Sequence, residues 1–149
     1  LKKRYSNVEW KHPCIYLKNV TFIDTKFDNL VITYKNEKLV EATFTLFDNA
    51  SVMDNPFKDR ATILSEAKSK QNQIMNRFTQ AFNGLGNAFC SKYGNPAVSS
   101  EGNAIWRDTN SNSITLNVTL NNSQDELGVH FDGILTVTYR TATTNNDEF

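Results

Sequence analysis

The residues best suited to chemistry in this chain are its histidines, cysteines and carboxylates. His130 and Asp132 stand two positions apart in a segment that alternates apolar and polar residues, so both side chains would project from one face of a strand. An imidazole beside a carboxylate can transfer protons or contribute to a metal site. Such a pair is more often part of a solvated strand edge. We therefore predict no catalytic residue, no metal site and no cofactor.

Two cysteines, Cys14 and Cys90, are the thiols of the chain. Helical periodicity places Cys90 at the flank of an apolar stripe, from which it could reach a neighbouring strand or loop. A Cys14–Cys90 disulfide would close a long loop and stabilise the fold by about 3–5 kcal/mol. Two unpaired, mostly buried thiols also fit the sequence. A nucleophilic cysteine would need a nearby base, for which the chain offers only His12 and His130.

Known catalytic and phosphate-binding motifs are absent from the sequence. It contains no G-x-S-x-G, no H-E-x-x-H and no P-loop. The glycine-rich run NGLGN at 83–87 lies inside a helical apolar pattern rather than between a strand and a helix, which argues against a phosphate loop. His12 and Cys14 stand two apart, but structural zinc requires four ligands in paired spacings and no second pair is present.

The composition is that of one soluble domain of 149 residues. Sixteen basic side chains balance sixteen acidic ones. A nucleic-acid partner is disfavoured, because binding phosphates requires a basic excess. No apolar run approaches the length of a membrane span. Asn and Thr are frequent after Asn103, which is common in exported and surface proteins, and we expect an extracytoplasmic setting: periplasm, cell surface or secreted.

Period-2 alternation predicts strands on both sides of a helical middle. Residues 14–24 are rich in β-branched and aromatic residues, and 29–34 and 39–47 alternate around the polar connection KNEK, which predicts a hairpin. A short strand at 103–108, a clean alternation at 113–121 and a strand at 129–140 follow. Gly133 within the last strand is expected to mark a bulge.

Between these strands, apolar residues recur at three- and four-residue steps from about 57 to 93, which predicts an amphipathic helix. Asn55 before Pro56 is predicted to cap its start. The apolar stripe weakens at 68–73, so we favour a break or kink near 68–72. The stretch FCSKYGNP closes the helix, with Lys92 in the last turn and Gly94 as the left-handed residue after it.

These elements predict an α+β fold. An antiparallel sheet of five to six strands would carry one long amphipathic helix, with or without a break, on one face in the order β-β-β-α-β-β-β. Residues 1–149 would form a single domain, with irregular or mobile ends at 1–13 and 141–149.

The hairpin LVITYKNEKLVEATFTLF, the helix ending in KYGNP, and a tryptophan followed by SITLNVTL form a combination that resembles a known arrangement. It is similar to small exported bacterial α+β domains of the cell-envelope or lipoprotein type, which are mostly of unknown function, and the similarity covers about residues 27 to 120. The resemblance implies an envelope setting and a non-enzymatic role. It brings no catalytic residues with it, and it does not require the cysteine pair.

The sequence therefore favours an exported binding or interaction module that is not an enzyme. Its open sheet face would suit a protein or a carbohydrate. A small-ligand carrier or enzyme with a pocket between helix and sheet is the first alternative, and an oligomer-forming structural domain is the second. The candidate ligand-binding residues are Tyr16, Tyr34, Trp106, His130 and Asp132.

Overall fold

A computed structural model of the chain describes residues 9–11 and 14–142. Residues 1–8, 12–13 and 143–149 lie outside the described residues, and with them most of the predicted irregular ends. The elements in chain order are β1 (Glu9–Lys11), β2 (Cys14–Phe22), β3 (Thr25–Lys35), β4 (Lys38–Met53), α1 (Arg60–Tyr93), β5 (Val98–Ser100), β6 (Asn103–Arg107), β7 (Ser113–Gln124) and β8 (Gly128–Arg140).

The strands form one antiparallel sheet with α1 packed on one face, so the predicted α+β class is confirmed. The order across the sheet is β1-β2-β3-β4-β8-β7-β6-β5. The predicted count of five to six strands and the order β-β-β-α-β-β-β are wrong, because eight described strands flank the helix four and four. The additional strands, β1 and β5, have three residues each, which is too short to show a period of two.

Strand β4 is the longest strand, with 16 residues. Its first half pairs with β3, and the stretch from Glu41 to Met53 pairs with β8 on the other side. The predicted hairpin is present, but its turn is tighter than KNEK, since Lys35 pairs with Lys38 across two residues. Both turn residues, Asn36 and Glu37, have positive φ values of 52° and 63°, as a type I′ turn requires.

Alternation along the strands gives the sheet two different faces. The side under α1 is apolar and contains the fully buried Leu116 of β7 and Leu135 of β8. The opposite side, which we call the open face, carries mainly hydroxyl and amide side chains. Its central members are Thr43, Thr45, Asn49, Ser51, Thr115, Asn117, Thr119, Thr136 and Thr138. The predicted one-sided burial of residues 113–121 follows from this arrangement.

Helix α1 runs without interruption for 34 residues, about 51 Å at 1.5 Å per residue. The predicted break near 68–72 is therefore wrong. The polar run at 68–73 consists mainly of residues that favour helices, and buried Ala67 and Ile74 stand seven residues, or two turns, apart on either side. The apolar stripe continues beneath the polar run, and α1 lies across β4, β8, β7 and β6.

The two ends of α1 differ in how well they were predicted. The N-cap is Asp59, whose Oδ1 accepts the Thr62 N–H at 2.7 Å, so the prediction of Asn55 is wrong. Asn55 instead accepts the Phe57 N–H at 2.9 Å and forms a turn before the helix. At the other end the prediction is confirmed, because Gly94 follows the helix with φ 79° and its N–H donates to the Cys90 carbonyl at 2.9 Å.

Gly133 brings α1 close to the sheet instead of forming the predicted bulge. It stays in register with Asp48 of β4 and Leu120 of β7. A Cβ at this position would lie 2.9 Å from Phe78 Cε2 and 2.9 Å from a Leu120 methyl carbon. The missing side chain therefore makes room for the Phe78 ring, which is fully buried at the centre of the core.

Candidate functional site

An apolar groove of about 470 Å³ lies where the sheet extends past the C-terminal end of α1. Its floor is the helix-facing side of β4, β7 and β8, and the last turns of α1 form one wall. The turn between β2 and β3 forms the other wall. The lining residues are Phe22, Ile23, Ala42, Phe44, Ala88, Phe89, Lys92, Tyr93, Ile114, Val137 and Tyr139.

Aromatic contacts hold the walls of the groove in place. Phe22 stacks on Phe44 with ring centroids 4.7 Å apart and planes at 15°, and its centroid lies 6.3 Å from that of Phe89. Phe89 in turn meets Trp106 edge-on at 5.3 Å. Offset and edge-to-face ring pairs are favourable beyond the area they bury. The β2–β3 turn is thereby tied to both the sheet and α1.

Small side chains create the space in the groove. Ala42 on β4 and Ala88 on α1 both line it, and both are half-buried. A larger apolar residue at either position would fill the volume that a ligand could occupy. Close-packed interiors rarely leave such volume unused, so a groove of this size between packed elements is a natural candidate for a binding site.

Polar groups are few and lie at the rim. Lys92 and Tyr93 come from the last turn of α1, and Tyr139 comes from β8. The Lys92 ammonium lies 5.4 Å from the centre of the Tyr93 ring. Within residues 14–142, no carboxylate forms an ion pair with Lys92, so its charge is available to a ligand.

The aromatic residues selected from the sequence lie outside this groove. Trp106 is a core residue, 3% exposed, and its Nε1–H donates to the Gly94 carbonyl at 3.1 Å. Tyr34 packs against a satellite cluster of Ile15, Leu17 and Leu30 on β2 and β3. Tyr16 alternates with Ile15 and Leu17 and therefore faces the opposite side of the sheet. The structure does not bring these three side chains together.

His130 and Asp132 share the open face of β8, as their spacing predicted, but each pairs with a different residue. The His130 ring is bonded at both nitrogens, with Nδ1 2.8 Å from Ser51 Oγ and Nε2 3.1 Å from each oxygen of Asp125. Asp132 accepts a hydrogen bond from the Asn121 amide at 3.0 Å. Ser51 could not be identified from the sequence, because the pairing of β4 with β8 brings it to His130 across 79 residues. Asp125 lies only five positions before His130 but was not recognised as its partner.

The hydrogen bond from His130 is the main reason that the pKa of Asp125 lies below its ordinary value. The backbone N–H of Leu127 lowers it further, and that of Gly128 has a smaller effect in the same direction. These N–H groups donate to Asp125 Oδ1 at 2.8 and 3.0 Å. The carboxylate of Asp125 is therefore ionised and fixed in orientation.

Both cysteines are free, so the disulfide that the sequence left open does not form in this structure. Cys14 is half-buried on β2, where its Sγ lies 3.6 Å from Thr33 Oγ1. Cys90 is exposed on α1. The physical reason is the alternation along β2: Cys14 precedes the buried Ile15, so its side chain points to the open face, whereas Cys90 lies on α1 on the other side of the sheet.

The described segments hold no group of three or more metal-binding side chains. In the same part of the chain, no helix combines enough length with enough apolar character to cross a membrane, and α1 is long but too polar. A functional assignment then depends on similarity or on geometry. No family model matches the chain, and neither curated proteins nor solved structures show a significant similarity to it.

Proposed function

We propose that this protein binds a small amphipathic molecule, with an apolar or aromatic body and an anionic end, in the groove at the C-terminal end of α1. The observation that supports this proposal is the groove itself, with about 470 Å³ of space and a lining of aromatic and aliphatic side chains. Ligand sites in proteins are typically concave, mostly apolar and of roughly 300–1,000 Å³.

The driving force for binding would be removal of apolar surface from water, at roughly 25 cal/mol per Å². The aromatic side chains that would supply this surface are already fixed by the Phe22–Phe44 stack and the Phe89–Trp106 contact. Because these rings are ordered before the ligand arrives, little conformational entropy is lost on binding.

Lys92 provides the reason for expecting an anionic end. Its ammonium stands at the rim of an otherwise apolar groove and has no carboxylate partner among residues 14–142. The C-terminus of α1 contributes roughly half a negative charge, which the full positive charge of Lys92 outweighs. The hydroxyl groups of Tyr93 and Tyr139 add two hydrogen-bond donors at the same rim.

Filling the groove provides the test. Anilinonaphthalene sulfonate, an anionic aromatic probe, is expected to bind the folded protein with saturable fluorescence. Ala42→Phe should weaken this binding at least about tenfold, because the new ring occupies the space between Phe44 and Tyr139. The matched control is Ala61→Phe on the exposed side of the first turn of α1, which should bind the probe as the wild type does.

The charge is tested separately. Lys92→Gln should weaken binding of the anionic probe and leave a neutral probe such as Nile red bound with unchanged affinity. Equal probe binding by wild type and Ala42→Phe would overturn the proposal. The proposal would also be overturned if Ala42→Phe changed only the sedimentation of the protein and not its probe binding, since the groove would then be an interface between copies of the chain.

A second candidate function is supported by two exposed apolar side chains on the open face. Phe47 and Ile134 pair directly across β4 and β8 and are 45% and 39% exposed, surrounded by threonine and asparagine side chains. Of the protein and carbohydrate partners that the sequence indicated, this apolar centre favours a protein. The exported or cell-envelope setting of this second function is taken from the sequence alone.

The test of this second function starts with the location of the protein. It is expected in the extracytoplasmic fraction of its source cells, where crosslinking should capture one defined protein. Phe47→Ser should abolish that crosslink, and the nearby Asn49→Ser should not. Capture that is unaffected by Phe47→Ser would count against the open face as an interface.

A further inference from the structure

Ser51, His130 and Asp125 form a continuous chain of hydrogen bonds at one end of the open face. Ser51 lies near the end of β4, His130 directly opposite it near the start of β8, and Asp125 just before the turn into β8. Ser51 Oγ lies 2.8 Å from His130 Nδ1, and His130 Nε2 lies 3.1 Å from both Asp125 oxygens. The groups are solvent-accessible, with the His130 side chain 29% exposed.

This arrangement selects one tautomer of His130. The ionised Asp125 carboxylate can only accept hydrogen bonds, so the imidazole proton is on Nε2. Nδ1 then has a free lone pair and accepts the hydrogen bond of the Ser51 hydroxyl. A base in hydrogen-bond contact with a hydroxyl, oriented by a third group, is the arrangement that activates a serine nucleophile.

The unpaired edge of β4 supplies one backbone hydrogen-bond donor, the N–H of Ser51 itself. Strand β3 pairs only with residues 38–45 of β4, so the rest of that edge of β4 has no strand beside it. On this edge the Phe47 N–H donates to the Asp28 carboxylate. The Asp54 N–H points the other way, toward β8, and donates to the Leu127 carbonyl oxygen. Backbone N–H groups point alternately to the two edges of a strand. The Ser51 N–H therefore points to the same unpaired edge of β4 as the Phe47 N–H.

Lys70 adds a positive charge at the same edge. Its ammonium reaches from α1 to the Ser51 carbonyl oxygen at 3.2 Å. The N–H and the carbonyl oxygen of Ser51 lie on the same side of β4, so this ammonium stands next to the backbone donor. A backbone N–H and a cation together can stabilise the negative oxygen of a tetrahedral intermediate.

We propose that Ser51, His130 and Asp125 form a second site that hydrolyses small carboxylic esters through an acyl-serine intermediate. Ser51 and His130 are the catalytic residues, and Asp125 is a positioning residue that holds the ring of His130. The N–H of Ser51 and the ammonium of Lys70 would bind the carbonyl oxygen. This inference goes beyond the proposed groove, which involves none of these residues.

The reaction balances with water as the only co-reactant. Ser51 Oγ bonds to the ester carbonyl carbon as its proton moves to His130 Nδ1, and the carbon–oxygen bond to the alkoxy group breaks as that group takes the proton and leaves as an alcohol. Water then attacks the acyl-serine and gives a proton to Nδ1, which returns it to Ser51 Oγ as the acid is released. The net change is ester plus water to acid plus alcohol.

The exposed position limits the substrates to short or activated acyl groups, because the described residues around Ser51 build no deep apolar wall. The groove cannot supply that wall. Its lining residue Ala88 lies 18 positions beyond Lys70 on the same helix, which corresponds to ~27 Å along the axis.

Labelling of the unmodified protein is the primary experiment. A fluorophosphonate should attach to one residue, identified as Ser51 by peptide mass spectrometry, and p-nitrophenyl acetate should be hydrolysed with an initial burst. Ser51→Ala should remove the label and lower the rate at least about tenfold. The matched control is Ser123→Ala, since Ser123 faces His130 from the opposite strand β7 and has no role in the mechanism.

The role of Asp125 needs a measurement that a purely structural role would not change. Asp125→Asn should alter the pH dependence of the burst rate, and Asp125→Glu should restore it in part. No label on Ser51 in the unmodified protein, or a p-nitrophenyl acetate rate that is unchanged in Ser51→Ala, would overturn the proposal. Labelling of another serine would overturn it equally.

Discussion

Asp59 determines the residue at which α1 begins. Its carboxylate accepts the Thr62 N–H at 2.7 Å, and it follows a turn that is closed by Asn55. The pKa of Asp59 is lowered, chiefly by the side-chain hydrogen bond with Thr62 and then by the Thr62 N–H. The negative charge also faces the positive end of the helix dipole.

A pH-dependent contribution of Asp59 to stability follows from the lowered pKa. Asp59→Asn keeps a capping oxygen without the charge, and Asp59→Ala removes both, so we expect melting temperatures in the order wild type, Asn, Ala at neutral pH. Because the folded-state pKa lies below the usual 3.8, the benefit of the charge is complete above that value and is lost as the pH falls through the folded-state pKa.

The difference in melting temperature between wild type and Asp59→Asn should therefore disappear as the pH is lowered below about 4, as measured by circular dichroism. The difference in melting temperature between wild type and Asp59→Ala should decrease less, because a protonated carboxyl group retains some capping ability. A gap between wild type and Asp59→Asn that stays constant from about pH 6 to pH 2 would contradict the assigned role.

Local sequence patterns predict the face on which a side chain lies but not its neighbour. The shared face of His130 and Asp132 was predicted correctly from their spacing alone. The partner of His130 was not, because Ser51 comes from a strand 79 residues away whose register with β8 is set by the whole sheet. The same limit explains why Tyr16, Tyr34 and Trp106 could all be candidate ligand-binding residues in the sequence although they occupy different parts of the fold.

At the level of elements, the stripe of α1 has a repeat that explains its continuity. The buried residues fall into three pairs with a spacing of four inside each pair and eleven from one pair to the next: Ile63 and Ala67, Ile74 and Phe78, Leu85 and Phe89. Eleven residues correspond to three turns of 3.67 residues each, close to the 3.6 of a straight helix. The stripe therefore stays on one side of the helix for its full length.

This repeat was present in the sequence and could have corrected the predicted break. The prediction gave weight to the polar run at 68–73, whereas the eleven-residue spacing already placed the next contacts beyond it. Strands β7 and β8 were recognised because their alternation is long and regular, whereas β4 was predicted only over 39–47 and extends in the structure to Met53. The three-residue strands β1 and β5 carry no measurable period, so their pairing could be seen only in the folded sheet.

Gly133 controls how closely α1 approaches the sheet, and its replacement is a test of that contact. Gly133→Val should lower the free energy of unfolding by about 1–3 kcal/mol, since the new side chain would overlap Phe78 and Leu120. Chemical denaturation measures the change. The double variant with Phe78→Leu should recover part of the loss, because the two side chains compete for one volume.

The control for this prediction is Gly84→Ala on α1, where an added Cβ meets nothing within 4 Å. That substitution should raise stability by up to about 1 kcal/mol through helix propensity alone. Equal effects of the two glycine replacements would show that Gly133 has no special role in the packing of Phe78.

At the scale of the whole molecule, the described strands form one sheet whose two halves come from opposite sides of the helix in the sequence. Strands β1 to β4 form one half and β5 to β8 the other, and they meet where β4 pairs with β8. Antiparallel pairing and a helix on one face followed from the sequence, because the connections are short. The order β4-β8-β7-β6-β5 did not, because nothing local distinguishes the neighbour of β4 among the later strands.

The position of β8 between β4 and β7 has a consequence for how the protein is made. This strand follows every other described element along the chain, yet it is the one that joins the halves of the sheet. While the ribosome is still adding residues before Gly128, α1 has been released with its apolar stripe and β4 still lacks its longest partner. The nascent chain therefore cannot complete this sheet before β8 has left the ribosome, and a product truncated before Gly128 would be a substrate for chaperones and proteases.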